Sequence, residues 1–372
     1  MKISTSKTEL QLALQKLSKA TPARSTLPIL SSVLFNVKES GTVLRTTDLE
    51  ITIIVNLPVS VESSGSVALP LQTLLDITNE LPNDARMTLT ADENNKITMA
   101  TDAGSYDIMG KPADEFPAIP EVDNRKATGL SAKTLKDLIS KTSFAVSRDE
   151  LKPALTGVLF RFDEKELTAV ATDGHRLVRY TRRDYSADEF SGDVIVPRKF
   201  LSLLLGVLSG NDPIKMWMGD NHITASIGDD TYFTRIIDER FPDFESVIPK
   251  DNDKEFSANK EELLSAVRRV SIFSNKSTHQ IALRLNKGET QITTEDPEKA
   301  SKAQEKILGE FNGEDLAVGY NALYLKDILS HIDDEKVKIK LKTPISAALF
   351  YPGTQKENGK LTMLLMPIRL ND

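Results

Sequence analysis

Apolar residues recur along the chain at two spacings, one helical and one extended, and the two alternate in a repeating order. Leu10, Ala13, Leu14 and Leu17 stand at i, i+3, i+4 and i+7, which predicts an amphipathic helix with one buried face. The same spacing returns with Leu135, Leu138 and Ile139 after a capping Ser131, and with Leu263, Ala266, Val267 and Val270 after Asn259. A second helix is predicted in each stretch, within LPLQTLLDITNEL from Leu69, VPRKFLSLLLGVL from Val196 and GYNALYLKDILSHI from Gly319, each behind a short apolar strand. Elsewhere the period is two, as in MTLTADENNKITMAT, IKMWMGDNHITASI and VKIKLKTPISAALF, with turns at Asp, Asn and Gly.

That order reflects an internal repeat. Val33, Leu34, Phe35, Thr47 and Asp48 recur as Val158, Leu159, Phe160, Thr172 and Asp173, and Phe116-Pro117 recurs as Phe241-Pro242, each pair 125 residues apart without a gap. A fainter third copy puts Thr294 and Glu295 in the place of Thr172 and Asp173, and Met366-Pro367 lies another 125 residues past Phe241-Pro242. The expected architecture is α+β: three tandem domains at 1–125, 126–250 and 251–372, each with two helices and two antiparallel sheets. Three units are few for a closed ring, whereas a head-to-tail homodimer would supply six.

Composition narrows the class. A chain of 372 residues exceeds the size at which one core stops growing, in keeping with several domains. It has no cysteine, which removes disulfides and thiolate chemistry and suits a reducing compartment. The N-terminal MKISTSKTEL has no apolar signal region, and the longest apolar run, FLSLLLGVL, falls far short of the roughly 20 residues that span a bilayer, so a cytoplasmic protein with no membrane partner is expected. The net charge of −7 argues against a surface that coats nucleic acid everywhere, without describing how the 47 Lys and Arg are distributed. No phosphate-cradling glycine loop occurs, and His222, His279 and His331 stand without metal-ligand spacing, so no cofactor is expected.

The densest chemistry lies in ATDGHRLVRY, residues 171 to 180. Asp173 and His175 could form an acid/base pair, yet no adjacent motif marks a nucleophile. The plainer reading is a tight turn leaving a strand, with Asp173 accepting backbone hydrogen bonds and Gly174 adopting a conformation costly to other residues. Thr47-Asp48 keeps the acidic turn in the first repeat, so the Gly-His-Arg-Leu that follows is an addition peculiar to the second.

TDGHRL at 172–177, RFPDFESVIP at 240–249 and MPIRL at 366–370, on a threefold repeat, resemble the bacterial sliding clamp family, the beta subunits of replicative DNA polymerases, over essentially the whole chain. The resemblance implies half of a closed ring: a non-enzymatic processivity factor that encircles duplex DNA as a homodimer, helices toward the hole and sheets outside. It implies as partners the polymerase catalytic subunit, the clamp loader and other polymerases and repair proteins carrying short linear motifs. These would dock in a groove between the second and third repeats, comprising Leu155, Thr172, Gly174, His175, Arg176, Leu177, Pro242, Val247, Leu364, Met366, Pro367, Ile368 and Arg369, with Tyr320, Asn321 and Tyr324 at its rim. Apolar walls suit a partner's Leu or Phe, each worth about 1.5–3 kcal/mol when fully buried, with His175 and Arg176 orienting polar groups at the edge. Met366 suits a site that accepts varied ligands, because its thioether repacks.

Three departures from the family pattern bear on ligand preference: Ser246 in place of an Arg beside the groove, Ile368 in place of a second Met, and Asn371-Asp372 beyond the usual final Leu. For DNA the resemblance points to Arg24, Arg148, Arg198 and Lys199, with Lys16, Arg268 and Arg269 on the first helices of the first and third repeats; Pro153 and Ala154 stand where relatives present aromatic residues. For the dimer seam it points to Tyr106 and Ile108 on an edge strand and to Ile272 and Phe273 after a helix. Two other classes stay open at this level: an enzyme using Asp173 and His175, and a scaffold that gathers peptides without DNA.

Overall fold

The computed structural model describes residues 1–22, 24–119, 126–186, 189–210 and 213–370. Arg125, on which the first expected domain boundary falls, and the terminal Asn371-Asp372 lie outside the described residues. Six α-helices occur among the described residues, two in each repeat: α1 (Lys7–Leu17), α2 (Leu71–Glu80), α3 (Ala132–Thr142), α4 (Arg198–Leu205), α5 (Lys260–Val270) and α6 (Ala322–Ser330). The predicted apolar faces are the buried ones. Leu10, Ala13, Leu14 and Leu17 are buried on α1, as are Leu135, Leu138 and Ile139 on α3 and Leu263, Ala266, Val267 and Val270 on α5. A capping box starts α1, in which the Ser6 hydroxyl accepts from the Glu9 amide at 3.2 Å and the Glu9 carboxylate accepts from the Ser6 amide at 3.4 Å. Asn259 caps α5 in the same sense, accepting from the Glu262 amide at 3.1 Å.

The chain divides into two compact units, one comprising Met1–Lys133, Asp188–Phe190 and Ser202–Ile236, the other Thr134–Ala187, Ser191–Leu201 and Ile237–Asp372. The second repeat thus contributes to both. In the first unit an eight-stranded sheet runs Lys126–Ser131, Pro213–Met218, His222–Ile227, Asp230–Arg235, Ile51–Leu57, Gly41–Thr47, Ser32–Lys38, Gly65–Pro70. Its two halves come from different repeats and join where Ile51–Leu57 pairs antiparallel with Asp230–Arg235. A five-stranded sheet, ordered Ser60–Ser63, Lys2–Ser6, Arg86–Ala91, Lys96–Thr101, Ser105–Met109, completes the unit, with α1 and α2 packed together.

The second unit follows the same plan. Its nine-stranded sheet runs Gly192–Pro197, Gly157–Phe162, Leu167–Thr172, Arg176–Arg182, Gly359–Leu365, Ala348–Pro352, Lys336–Leu341, Lys254–Asn259, Gly309–Asn312. The repeats meet where Arg176–Arg182 pairs antiparallel with Gly359–Leu365, Leu177 facing Leu364. A four-stranded sheet, ordered Ser301–Ile307, Glu289–Asp296, Gln280–Asn286, Leu316–Asn321, completes it, and α5 packs on α6. Two sheets per repeat would have made six. The described residues form four, because each junction fuses two half-sheets edge to edge and so satisfies backbone groups that would otherwise be exposed.

Candidate functional site

The turn at 172–176 is shaped by bonds among its own residues. Thr172 ends its strand with a hydroxyl that donates to the Arg176 carbonyl at 2.6 Å and accepts from the Gly174 amide at 3.1 Å. Asp173 Oδ1 accepts from the amides of His175 and Arg176 at 2.9 and 3.0 Å, and Oδ2 accepts from Arg176 Nε at 3.0 Å. Gly174 has φ +90°, the left-handed region that disfavours a side chain. The carboxylate is committed to shaping the turn, and the His175 ring instead stacks on Tyr324 with centroids 5.8 Å apart.

The first repeat reproduces the turn's backbone-directed bonds, lacking only the guanidinium bond to the aspartate because Ile51 replaces Arg176. Thr47 Oγ1 donates to the Ile51 carbonyl at 2.9 Å and accepts from Leu49 at 3.1 Å, while Asp48 Oδ1 accepts from the amides of Glu50 and Ile51 at 3.0 and 2.7 Å. Leu49 takes the place of Gly174 with φ +76°. The acidic turn is therefore architecture, as its recurrence predicts. The third copy differs: Thr294 lies inside Glu289–Asp296 and donates to the Gln280 carbonyl at 2.6 Å, so Thr294-Glu295 makes no such turn.

Arg176 is expected to orient polar groups at the rim, but it is turned inward. Its side chain is 8% exposed, and besides Asp173 it donates to Asp327 Oδ2 at 2.6 Å and to the Phe144 carbonyl at 2.8 Å. The guanidinium also lies over the rings of Phe144 and Tyr324, at 5.2 and 4.7 Å. A cation desolvated this far needs such partners, and the turn, Phe144 and α6 supply them. Phe144 in turn stacks on His331 at 3.8 Å, and His331 Nδ1 lies 2.7 Å from the Asp327 carbonyl. Phe144, Asp327 and His331 had no sequence signal, since each is far from Arg176 in the chain and matters only through it.

Beside this strut lies an apolar floor. Leu177 and Leu364 belong to one buried cluster with Leu159, Val170, Ile195 and Phe244, edged by half-buried Phe241, Ile248 and Tyr351. Leu155, in a 3-10 turn at Pro153–Leu155, and Thr172 stand at the same end of the sheet, Leu155 half-buried. Pro242 is exposed, Val247 is 55% exposed and Met366 is 44% exposed. The last segment is laced down by two backbone bonds, Met366 N to the His175 carbonyl at 2.9 Å and Ile368 N to the Gly319 carbonyl at 2.8 Å. Pro367 and Ile368 are half-buried and Arg369 is exposed. Gly319 is required here, since a Cβ would lie 2.4 Å from the Ile368 carbonyl oxygen.

The rim expected from the third repeat needs one correction. Tyr320 is wholly buried, edge-on to Phe350 at 6.3 Å, and so faces no open surface. It occupies an inward position of Leu316–Asn321, whereas Asn321 caps α6 through the Leu323 amide at 2.9 Å and Tyr324 reaches the surface one turn on. Burial, with Asp173 nearby, holds the Tyr324 phenol above its ordinary range.

The remaining candidates are dispersed. Arg24, Arg148, Arg198, Lys199 and Arg268 are exposed. Lys16 is ion-paired to Asp230 at 2.5 Å, and Arg269 makes a two-bond pair with Glu305 at 2.9 and 2.7 Å. Ser105–Met109 forms one edge of the five-stranded sheet, as expected, but Ile108 is buried in its own unit and Tyr106 is half-buried, leaving Met109 outward. Ile272 and Phe273 are 77% and 45% exposed. No group of side chains suited to a metal ion occurs among the described residues. No helix among them is long and apolar enough to cross a membrane.

Comparison with known proteins accounts for the whole length. Family models match in order: the N-terminal domain of the DNA polymerase III beta subunit at residues 1–120, its central domain at 129–243 and its C-terminal domain at 245–369. The chain is 32% identical over 361 residues to the beta sliding clamp of Pseudomonas putida, covering 96% of each. It is similar throughout, both chains fully covered, to the crystal structure of the Pseudomonas aeruginosa DNA polymerase III subunit beta, with TM-score 0.94 and 30% identity. The Bacillus subtilis DNA polymerase sliding clamp is likewise fully covered, with TM-score 0.94 and 26% identity. With three consecutive domain matches and relatives aligned from end to end, the chain belongs to the family of bacterial DNA polymerase III beta subunits, the beta sliding clamps.

Proposed function

We propose that two copies of this chain close head to tail into a ring around duplex DNA, and that the groove beside the 172–176 turn tethers polymerases and other partners by short peptides. The observation that carries this reading is an apolar floor, Leu177 against Leu364, with Met366 and Val247 exposed on segments that contribute to it, in a chain that matches the clamp family over its whole length. In this reading the repeats are domains at 1–125, 126–250 and 251–372, and the protein performs no chemistry itself.

The groove works by burial. A partner's Leu or Phe gains roughly 1.5–3 kcal/mol on the floor, which suits modest affinity and exchange between partners. His175, Tyr324, Met366 and Arg369 make contacts that vary with the ligand, while Arg176 holds the turn in place from behind. The partners are the replicative polymerase catalytic subunit, the clamp loader, and other polymerases and repair proteins with short motifs, all in the cytoplasm.

For DNA the mechanism is topological: a closed ring needs only weak, sequence-blind attraction to phosphate. Arg24, Arg148, Arg198 and Lys199 are the candidates for that attraction; Lys16 and Arg269 are ion-paired to Asp230 and Glu305. At the seam, Ser105–Met109 of one copy pairs with Ser301–Ile307 of the other. Each of these strands is the last in its sheet, and the exposure of Ile272 and Phe273 beside one of them supports the pairing.

The decisive experiment is retention on nicked circular DNA after loading by a competent clamp loader, in salt high enough to suppress phosphate contacts. Release on cutting the circle is the expected result. Loss that follows salt and ignores DNA ends would defeat the ring; absence of retention with peptide binding intact would leave a peptide scaffold.

A further inference from the structure

The two junctions between repeats share one plan, and in one of them the floor is already covered. Leu34, Leu30 and Phe116 stand 125 residues before Leu159, Leu155 and Phe241, and Ala68 takes in Gly65–Pro70 the place that Ile195 takes in Gly192–Pro197. Together with Ile29 these form a buried cluster of the first unit, the counterpart of the floor in the second. The seam of the sheet repeats as well, Thr52 facing Phe233 as Leu177 faces Leu364.

One floor position differs in kind. Val170, fully buried beneath the groove, corresponds to Arg45 in the first unit. The Arg45 guanidinium lies 5.0 Å over the Phe116 ring and donates from Nη2 to the Pro117 carbonyl at 2.8 Å; Pro117 is the counterpart of Pro242. Its Nε is buried without a partner, a cost that an exposed surface arginine would not carry. Burial holds this guanidinium below the usual arginine range.

We infer that Arg45 is a built-in plug, whose side chain covers in the first unit the apolar floor that the second unit leaves open to a partner's peptide, and that it limits each chain to one docking site. The inference rests on the groove reading proposed above. A Leu or Phe entering the first junction would have to displace a cation stacked on an aromatic ring and bonded to the main chain, leaving it desolvated and unpaired.

The test counts bound probe on the full-length chain. N-acetyl-Leu-Phe-amide is titrated against wild type, Arg45→Val and Arg45→Val/Thr52→Leu, with native mass spectrometry for stoichiometry and a benzophenone analogue to map the contact. The expected count is one per chain for wild type and two for the variants, with new crosslinks around Phe116 and Pro117. Adding His175→Ala and Met366→Ala to the Arg45 variant should remove the original copy and keep the new one. Folded variants that still bind one overturn the plug and leave the groove standing. A wild type that binds none beside an Arg45→Val chain that binds one overturns the groove and keeps the plug, and no binding in any chain overturns both. Should Arg45→Val fail to fold, Arg45→Thr, smaller and equally at home in a strand, takes its place.

Discussion

Arg176 and Asp327 are joined at 2.6 Å across 151 residues of chain, so that a turn in the second repeat is fixed to a helix of the third. The arginine is nearly buried and the carboxylate half exposed, at 8% and 49% of their side chains. Asp327→Asn keeps the shape and removes the charge, leaving Arg176 with Asp173 and the Phe144 carbonyl. The expected cost is about 1–2 kcal/mol, below that of breaking a fully buried pair because water reaches Asp327. Urea denaturation measures it, and a change under about 0.5 kcal/mol would mean that the pair is no stronger than a surface one.

In the proposed groove, residues that hold the fold are expected to respond to substitution differently from residues that meet a ligand. Leu177 is 2% exposed, so Leu177→Ala should cost about 2–5 kcal/mol of stability. Met366, at 44%, should lose little stability as alanine. Its effect is expected in partner-peptide affinity, a loss on the order of tenfold, or about 1.4 kcal/mol. Calorimetric titration beside thermal melts distinguishes them; a Met366→Ala chain that melts early and binds normally would reverse the assignment.

Tyr320 carries a hydroxyl with no hydrogen-bond partner inside the third repeat, and burial pushes its phenol well above the ordinary tyrosine range. Tyr320→Phe should be neutral or stabilising by up to about 1 kcal/mol, since it removes an unsatisfied polar group without changing the ring. The pH dependence follows from the direction of the shift. The folded pKa lies above the unfolded value of about 10, so this contribution is complete below pH 10 and shrinks above it, where only the unfolded chain ionises. Wild type should therefore lose more stability than Tyr320→Phe between pH 9 and pH 11, and parallel curves would show that the hydroxyl is hydrated.

Much of this was legible in the sequence, and the misses have physical causes. Helical faces and the Thr-Asp turn are local: their spacing and hydrogen bonds lie within a few residues. Tyr320 was misplaced because YNALYL straddles a change of period, with Tyr320 pointing inward on a strand and Tyr324 outward on α6. Ile108 was misplaced within a single strand, where the residue that faces out is its neighbour Met109. The sharing of sheets between repeats and the Arg176 strut were illegible for another reason. Both depend on partners more than a hundred residues away, and nothing in either partner's neighbourhood encodes the other.

Gly319 packs against the last segment of the proposed groove. A Cβ there would meet the Ile368 carbonyl oxygen at 2.4 Å and a Leu370 methyl at 2.8 Å, so Gly319→Ala must lift the last segment. The bond from Ile368 N to the Gly319 carbonyl would weaken, and Met366 and Pro367 would shift with it. The expected result is weaker peptide binding, with faster amide exchange at Met366 and Ile368 and unchanged exchange in the strands of the first unit. Normal affinity with normal protection would show that the segment accommodates a methyl group.

Exposed Ile272 and Phe273 lie just past α5, and α5 also packs against Ser301–Ile307, the last strand of its sheet. Exposed apolar side chains beside an unpaired edge are a liability for an isolated chain and an asset for one that pairs. Ile272→Ser/Phe273→Ser should leave the melting temperature of the single chain nearly unchanged, because neither side chain is in its core, yet shift sedimentation from two chains toward one. Ile108→Ala should do the opposite, destabilising the chain itself through a cavity in the first unit. If the serine pair lowers the melting temperature of dilute single chains as much as Ile108→Ala does, these side chains serve the fold, and the seam must lie elsewhere.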